Sequence, residues 1–312
     1  MPKPPLTQAE RIEFSQNELA ARIAQALQSD GSIELLGGMI RLRRFSAPTE
    51  IGHGVSYPAF CVIAQGSKEV LLGEERFRYD PANYLIVTST LPIASRITEA
   101  APDLPFLSVL LRLDPFVVGS VMVEAGYPAP QSNSALRAIN INPLNADLLE
   151  AVVRLMRLLD TPAEARLLAP LVTREIVYRL LRGEQGSRLC QIAALNGEPH
   201  RIGEAINRLR NEFDRPIRID DLAQELGMSV SGFHHHFKEV TAMSPLEFQK
   251  QLRLQEARRL MLGEGCDAAT AGYRVGYGDA SHFTREYKRL FGAPPKRDVY
   301  RLRGISTSTA GL

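Results

Sequence analysis

Two short segments near the C-terminus concentrate side chains that can donate hydrogen bonds. In each segment two aromatic residues lie four positions apart, the spacing of one buried helix face: Phe233 with Phe237, and Phe283 with Tyr287. Donor side chains occupy or flank the opposite face in both segments: Ser231, His234, His235 and Lys238 in the first, and Ser281, His282, Thr284, Arg285 and Lys288 in the second. Exposed side chains of these types can donate to base edges and phosphate oxygens of nucleic acid.

The residues before the first aromatic pair predict a helix-turn-helix unit. Ala223 is the small residue that allows a second helix to cross closely, and Gly227 can adopt the left-handed conformation that the turn needs. Ser229 is placed to cap the second helix. A single Ala-and-Gly pair at this spacing also occurs by chance in ordinary helical hairpins.

A second copy of the pattern favours the helix-turn-helix interpretation. Gly272 takes the place of the small residue and Gly276 the place of the turn residue, 49 positions after Gly227. The aromatic pair follows Gly227 by six and ten residues, but follows Gly276 by seven and eleven. The second turn is therefore predicted to be one residue longer. Gly272 inside a helix costs about 1 kcal/mol relative to Ala, which predicts a locally softer second unit.

A helix is predicted between the two units, from Pro245 to Met261, with leucines that could face both units. Its length is roughly 25 Å at 1.5 Å per residue. That length suits a rigid spacer that holds two helices about one DNA turn, or roughly 34 Å, apart.

Length, charge and cysteine content limit the class of protein. The 312 residues allow two domains of ordinary size. The net charge of +2 is uneven, because positions 200–303 carry a balance of +4 and the remainder −2. The first residues lack a secretory signal pattern, and no apolar run is long enough for a membrane span. The three cysteines lie far apart, so we expect a reducing cytoplasm.

The N-terminal part has a different pattern. An amphipathic helix is predicted for 8–30, followed by short apolar runs and turns from 33 to 113 that are typical of a β-sandwich or barrel. Helical spacing returns after Asp114, and 182–187 is the predicted boundary. The fold class is therefore α+β, with a β domain and accessory helices followed by an all-α domain. The apolar stripe from Leu144 to Leu159 is predicted to form a dimer interface, with packing on its own β domain as the alternative.

The C-terminal part resembles the DNA-binding domain of the AraC/XylS family over about a third of the chain. The residues that carry this resemblance are Leu222-Ala223, Ser229, Phe233, Phe237, Ser244-Pro245, Arg253-Leu254, Glu256-Ala257-Arg258, Gly276-Tyr277, Ser281, Phe283, Phe291-Gly292 and Pro294-Pro295. The N-terminal part resembles, less specifically, the cupin-like N-terminal domain of AraC-type regulators. Its carriers are Tyr57-Pro58, Gly66-Ser67-Lys68, Tyr84-Leu85 and Leu91-Pro92.

The resemblance implies a transcription regulator that binds double-stranded promoter DNA, commonly as a homodimer, with RNA polymerase and an unknown small-molecule effector as partners. It implies a sensory and dimerisation domain at 1–187 and a DNA-binding domain at 188–303, before a disordered tail at 304–312. By similarity Ser231, His234, His235, Ser281 and Arg285 occupy base-contacting places. Lys238 is an exposed position of the first helix, and His282, Thr284 and Lys288 flank the second helix's face toward phosphate.

Metal and catalytic sites are not predicted. His234, His235 and His236 are consecutive, and helical neighbours point about 100° apart, so three in a row cannot ligate one ion. His53 is the only histidine before residue 200, which argues against a cupin metalloenzyme, and Cys61 is expected in a strand core. No cofactor is predicted. Two alternatives stay open: a constitutive regulator whose β domain only dimerises, and an enzyme fused to this DNA-binding domain.

Overall fold

A computed structural model describes residues 6–127, 136–184, 186–192 and 198–309. The chain divides into two compact units. The first, here called the β unit, comprises Met1–Gly52, Ser56–Thr90 and Ala94–His200. The second, the helical unit, comprises His53–Val55, Leu91–Ile93 and Arg201–Leu312.

Two antiparallel sheets are formed by the strands of the described residues. The strands are β1 (Gly31–Leu35), β2 (Ile40–Phe45), β3 (Gly52–Ser56), β4 (Ala59–Gln65), β5 (Ser67–Leu72), β6 (Glu75–Tyr79), β7 (Asn83–Val87), β8 (Leu91–Glu99), β9 (Phe106–Arg112) and β10 (Ile139–Pro143). One sheet has the order β1-β2-β9-β4-β7-β10 and the other β3-β8-β5-β6. The β-rich N-terminal part, predicted from the short apolar runs, is confirmed.

The six-stranded sheet is covered by helices on one face. Every second side chain of these strands points to this face, and Leu42, Val62 and Val109 pack there in a common core with Leu19 and Ile23 of the first helix. The opposite alternation of the same strands therefore faces away from these helices. The helices of this part are α1 (Gln8–Ala26), α2 (Pro115–Glu124), α3 (Ala146–Arg157), α4 (Pro162–Arg182) and α5 (Gly186–Ile192).

Helix α3 corrects the prediction of a dimer interface along the Leu144–Leu159 stripe. Leu148, Val152 and Leu155 are at most 3% exposed and belong to the core of the β unit itself. The stripe packs on its own domain because α3 lies against α1 and α4. Arg11 of α1 further ties the two helices by donating to both carboxylate oxygens of Glu150.

The remaining helices follow in the C-terminal part. They are α6 (Glu198–Asn211), α7 (Ile219–Glu225), α8 (Val230–Thr241), α9 (Pro245–Gly263), α10 (Ala268–Arg274), α11 (Ala280–Phe291) and α12 (Pro295–Thr309). Helix α12 places helical backbone at 304–309, where the sequence predicted a disordered tail, and 310–312 lie outside the described residues. At the N-terminus, α1 ends at Ala26, four residues before the predicted end.

The two helix-turn-helix units, α7–α8 and α10–α11, close their turns in the same way. Gly227 and Gly276 have φ angles of +65° and +90°. In the first turn the Met228 amide donates to the Ala223 carbonyl, and in the second the Tyr277 amide donates to the Gly272 carbonyl. The second turn is one residue longer, as predicted.

Gly272 has a packing reason that its helix propensity does not show. A Cβ atom at this position would lie 3.0 Å from the Phe283 ring. The glycine therefore lets the α11 aromatic side chain approach the backbone of α10. The predicted local softness is offset by this closer contact, because a buried aromatic ring gains from dense packing.

Alanine at the two turn glycines should separate backbone conformation from packing. Each alanine must adopt a positive φ, which costs about 1–2 kcal/mol. At Gly227 nothing lies within 4 Å of the added Cβ, whereas at Gly276 it would be 2.0 Å from the Asp214 carbonyl oxygen. We therefore expect Gly227→Ala to lower the free energy of unfolding by about 1–2 kcal/mol, and Gly276→Ala by about 3 kcal/mol or more. Urea unfolding of the two full-length variants measures this difference, and equal losses would contradict it.

Candidate nucleic-acid interface

Helix α8 presents its polar residues opposite a buried aromatic pair. The Ser229 hydroxyl accepts from the Gly232 amide at 3.2 Å and caps the helix, as predicted. Phe233 and Phe237 are fully buried, with ring centroids 5.6 Å apart. The predicted residues of this helix then fall into two groups: exposed Ser231, His235 and Lys238, and half-buried His234.

Helix α11 repeats this arrangement. Asp279 caps it by accepting from the His282 amide. Phe283 and Tyr287 are fully buried and 5.5 Å apart. The predicted residues Ser281, His282, Arg285 and Lys288 are exposed, and Thr284 is half-buried.

The donors of α11 differ in how far they are already engaged. The Thr284 hydroxyl donates to the Ala280 carbonyl at 2.8 Å, which uses its only proton. The His282 ring packs edge-on against Tyr277, with centroids 5.6 Å apart. The side chains of Arg285 and Lys288 form no hydrogen bond or ion pair within the part of the chain that the structure describes. These two cations are therefore available to an acidic ligand.

One carboxylate lies beside the histidines of α8. Glu239 is 2.9 Å from Nδ1 of His236 and 3.4 Å from Nε2 of His235. His236 is half-buried and hydrogen-bonded to Glu239. Ligand atoms of His235, His236 and Glu239 lie within 4.8 Å of one another. This trio is the only candidate metal cluster among the described residues. The run of three histidines does not predict it, because Glu239 lies one helical turn further along α8.

Arg253 of α9 holds the second unit in place, a role that its sequence position does not reveal. Its guanidinium donates to the main-chain carbonyls of Phe213, Arg215 and Gly276, at 2.5, 2.9 and 3.0 Å. Gln249, one turn earlier on α9, donates to the first two of these carbonyls. The linker helix therefore fixes the turn before α11 against the segment that precedes α7.

A buried carboxylate fixes the end of the domain. Asp298 of α12 accepts from both Nε and Nη2 of Arg258, at 2.8 and 2.9 Å, and from the Tyr287 hydroxyl at 2.9 Å. Burial opposes ionisation of Asp298, but these hydrogen bonds outweigh burial and lower its pKa. Burial and the carboxylate together raise the pKa of Tyr287 far above its usual range. The neutral phenol thus stays a donor, and α11 is anchored from its buried side.

The cysteines of the described residues form no disulfide. Cys61 and Cys190 are free and buried, and Cys266 is free and partly exposed. No described helix has the length and apolar character of a membrane span.

Family models match both parts of the chain. Residues 38–188 match the model described as "AraC-type transcriptional regulator N-terminus", and residues 222–299 match a helix-turn-helix domain. The two-sheet β unit and the two helix-turn-helix units on one linker helix are the parts of the chain that these two models match. The chain belongs to the AraC-type family of transcriptional regulators.

Relatives agree with this assignment over the part that they cover. The regulator ArgR of Pseudomonas aeruginosa is 24% identical over 49% of this chain and 46% of its own length. The activator RhaS of Citrobacter koseri is 30% identical over 45% of this chain and 48% of its own length. The chain thus spans about half the length of these relatives.

Solved structures show the fold. A crystal structure of ToxT from Vibrio cholerae with a bound unsaturated fatty acid aligns with a TM-score of 0.52. It is 10% identical and covers 84% of this chain and 94% of ToxT. A second ToxT structure gives a TM-score of 0.53, also at 10% identity, over 84% of this chain and 97% of ToxT.

We expect DNA binding to need no metal at the His235–His236–Glu239 trio. Three ligands from one helix leave zinc without the convergent set that a closed tetrahedral site uses. Chelation with EDTA should leave both the unfolding midpoint and the DNA dissociation constant of the full-length protein unchanged. The matched control is Glu239→Gln, which removes the anionic ligand. Stoichiometric zinc in the purified wild type, absent from this variant and needed for DNA affinity, would contradict the prediction.

Proposed function

We propose that this chain is a sequence-specific, promoter-binding regulator of transcription that acts as a homodimer in the cytoplasm. In this proposal the helical unit binds double-stranded DNA, the β unit binds a small-molecule effector, RNA polymerase is a partner, and the chain is not an enzyme. The observation that carries the proposal is the repeated arrangement of α8 and α11. Each helix buries an aromatic pair and exposes a row of donors on the opposite face.

Burial and bonding rank the proposed DNA contacts. Arg285 is exposed without a partner in the described residues, and its planar fork matches the two acceptors of guanine. Ser231 and His235 of α8 and Ser281 of α11 are exposed donors for base edges. His234 is half-buried, so it reaches a base only at the edge of the interface.

Phosphate contacts are assigned to the cations that flank these faces. Lys238 and Lys288 are exposed on the last turns of α8 and α11. His282 lies in the first turn of α11, near the positive end of that helix's dipole, where phosphate is favoured. Thr284 contributes least, because phosphate only accepts hydrogen bonds and the Thr284 proton already goes to Ala280.

Effector binding by the β unit is supported by the family and by the shared fold. ToxT, whose structure holds a fatty acid, has the same fold at low identity.

The domain limits of 1–187 and 188–303 belong to the proposal as well, since the division by contacts falls at 200–201. A constitutive regulator with a purely dimerising β unit is the second candidate, and it predicts no effector-dependent change in DNA binding.

The dimer surface is proposed on α4 and α2 in place of the buried stripe of α3. Leu167 and Leu171 are one turn apart on α4 and are 73% and 59% exposed. Arg174, on the next turn, donates to Ser120 and Glu124 of α2, which brings the two helices together. Val123 of α2 is 80% exposed. Exposed apolar side chains on two neighbouring helices are typical of a protein interface, and the paired half-sites of such regulators make a second copy of this chain the proposed occupant.

Alanine substitution at Arg285 tests base recognition by α11. We expect Arg285→Ala to lower affinity for the native operator by about ten- to a hundredfold, because a bidentate guanine contact is worth about 1–3 kcal/mol. Affinity for random duplex should fall much less. Fluorescence anisotropy on native, single-base-substituted and random duplexes measures both effects.

Two further variants serve as matched comparisons. Lys288→Ala, one turn later on the same helix, should weaken binding to every duplex and reduce the salt dependence of binding. His235→Ala should resemble Arg285→Ala but alter preference at a position about one helical turn of DNA away. If Arg285→Ala lost native and random binding equally, α11 would be a phosphate clamp and the base contact would be refuted.

A charged residue at Leu171 tests the proposed dimer. Leu171→Glu should convert the dimer to a monomer, because the carboxylate would be buried without a partner across the interface. Leu104→Glu in the same unit is the matched control, since Leu104 is 58% exposed and Leu171 59%. Analytical ultracentrifugation at micromolar concentration measures the outcome. A dimer that survives Leu171→Glu, or a wild type that is monomeric, would refute this surface.

A further inference from the structure

Lys68 lies on the inner face of the four-stranded sheet. On β5 its side chain shares a face with Val70 and Leu72, which are at most 3% exposed. The alternate residue Glu69 pairs with Arg96 on the other face. The register places Lys68 beside Tyr79 of β6, which is also buried. Lys68 therefore faces the space between the two sheets.

Arg43 lies on the inner face of the six-stranded sheet. On β2 it alternates with Leu42, which is fully buried under the helices on the outer face. The register places Arg43 beside Ser108 of β9, and Ser108 beside Ile63 of β4. The guanidinium and the Lys68 ammonium are close enough to repel one another. The two sheets therefore bring two cations together from opposite sides of the sandwich.

Neither cation has a counter-charge among the residues that the structure describes. The side chains of Lys68 and Arg43 form no hydrogen bond or ion pair within these ranges. The neighbouring Arg41 is different, because it pairs with Glu34 at the surface. Burial raises the pKa of the Cys61 thiol to about 11, and raises that of the Tyr79 phenol well above its usual range. Both groups are thus neutral donors and cannot balance the charge.

Two neighbouring cations without a counter-charge lower the stability of the ligand-free protein. Burial, together with the nearby Arg43, lowers the pKa of Lys68 to about 7, and burial also lowers the pKa of Arg43. The side chain of Lys68 is only partly buried. A ligand can therefore reach part of its surface. Because Lys68 is only partly protonated near neutral pH, the pair supplies between one and two positive charges, which suits a monoanion.

We propose that the space between the two sheets binds a small organic carboxylate, with Arg43 and Lys68 as its counter-charges. The inner-face side chains Ile63, Val70, Leu85 and Ile97 are buried and apolar, and they suit a hydrocarbon body attached to the carboxylate. Tyr79 supplies a neutral donor beside Lys68. This inference rests on the proposed effector role of the β unit and names the chemical class of the effector.

Matched pairs of charged and neutral probes test the inference on the full-length protein without DNA. The probes are hexanoate and cyclohexanecarboxylate, their amides, and inorganic phosphate. Isothermal titration calorimetry should show each carboxylate binding at least tenfold more tightly than its amide, and more tightly than phosphate. Each carboxylate should also raise the thermal unfolding midpoint, because it binds only the folded state. Equal binding of acid and amide, tighter binding of phosphate, or no carboxylate binding would overturn the proposal.

Variants of Lys68 distinguish a ligand-binding role from a structural one. Lys68→Met removes the charge at similar length, so it should raise the unfolding midpoint of the ligand-free protein and weaken carboxylate binding at least tenfold. Lys68→Arg keeps the charge and should keep carboxylate binding, which preserves the test if the methionine variant fails to fold. Arg76→Met is the control, because Arg76 lies on the outer face of the same sheet and is 65% exposed.

Opposite results would identify a structural role. If Lys68→Met lowered the midpoint and left carboxylate affinity unchanged, or if Lys68→Arg abolished binding, Arg43 and Lys68 would not be ligand counter-charges. Because these measurements contain no DNA, their failure leaves the proposed DNA binding untouched. Failure of the Arg285 experiment would likewise leave the carboxylate result standing.

Discussion

The helical unit depends on one close contact between a side chain and three main-chain carbonyls. Arg253 reaches from the linker helix to the carbonyls of Phe213, Arg215 and Gly276. The same point is so crowded that a Cβ at Gly276 would lie 2.0 Å from the Asp214 oxygen and 3.1 Å from the Arg253 guanidinium carbon. A charged donor and a glycine are thus needed together. The guanidinium donates to one carbonyl of the turn and two carbonyls of the segment before α7, and the glycine allows the backbone to approach it.

The orientation of α11 follows from this contact and from Asp298. The turn before α11 is fixed by Arg253, and the buried face of α11 is fixed by the hydrogen bond from Tyr287 to Asp298. Because the contacts of Arg253 and Asp298 hold one side of α11 against the rest of the helical unit, the face that carries Arg285 must point outward. Preorganisation of this kind reduces the ordering that the proposed DNA binding would otherwise require. The buried contacts of α11 therefore determine which of its donors are exposed.

The β unit shows the opposite relation between charge and burial. In the helical unit the buried carboxylate of Asp298 has Arg258 as its partner. Between the sheets, Lys68 and Arg43 have no such partner in the described residues. The outer sheet face shows that these strands can form an ordinary apolar core, since Leu42, Val62 and Val109 do so. The unbalanced charge is a local property of the inner face, which is the reason to assign it to a ligand.

Sequence periodicity alone was enough for the elements that repeat or alternate. The aromatic pairs, the turn glycines and the Ser229 cap predicted two helix-turn-helix units, because these features depend on residues close together in the chain. The exposed positions of Ser231, His235, Ser281, Arg285 and Lys288 followed from the same helical geometry. The strand-rich N-terminal part was predicted in the same way from short apolar runs and turns.

Tertiary structure decided the features that depend on distant residues. An apolar stripe on α3 has the same pattern whether it meets a second chain or its own core, and only its packing against α1 and α4 shows the latter. Gly272 has an unfavourable helix propensity, and only its contact with Phe283 in the folded protein shows its packing role. Arg253 meets partners as far as 40 residues away, and Lys68 and Arg43 belong to different sheets. No local pattern encodes such meetings, because the fold brings these side chains together only after the backbone has closed long loops.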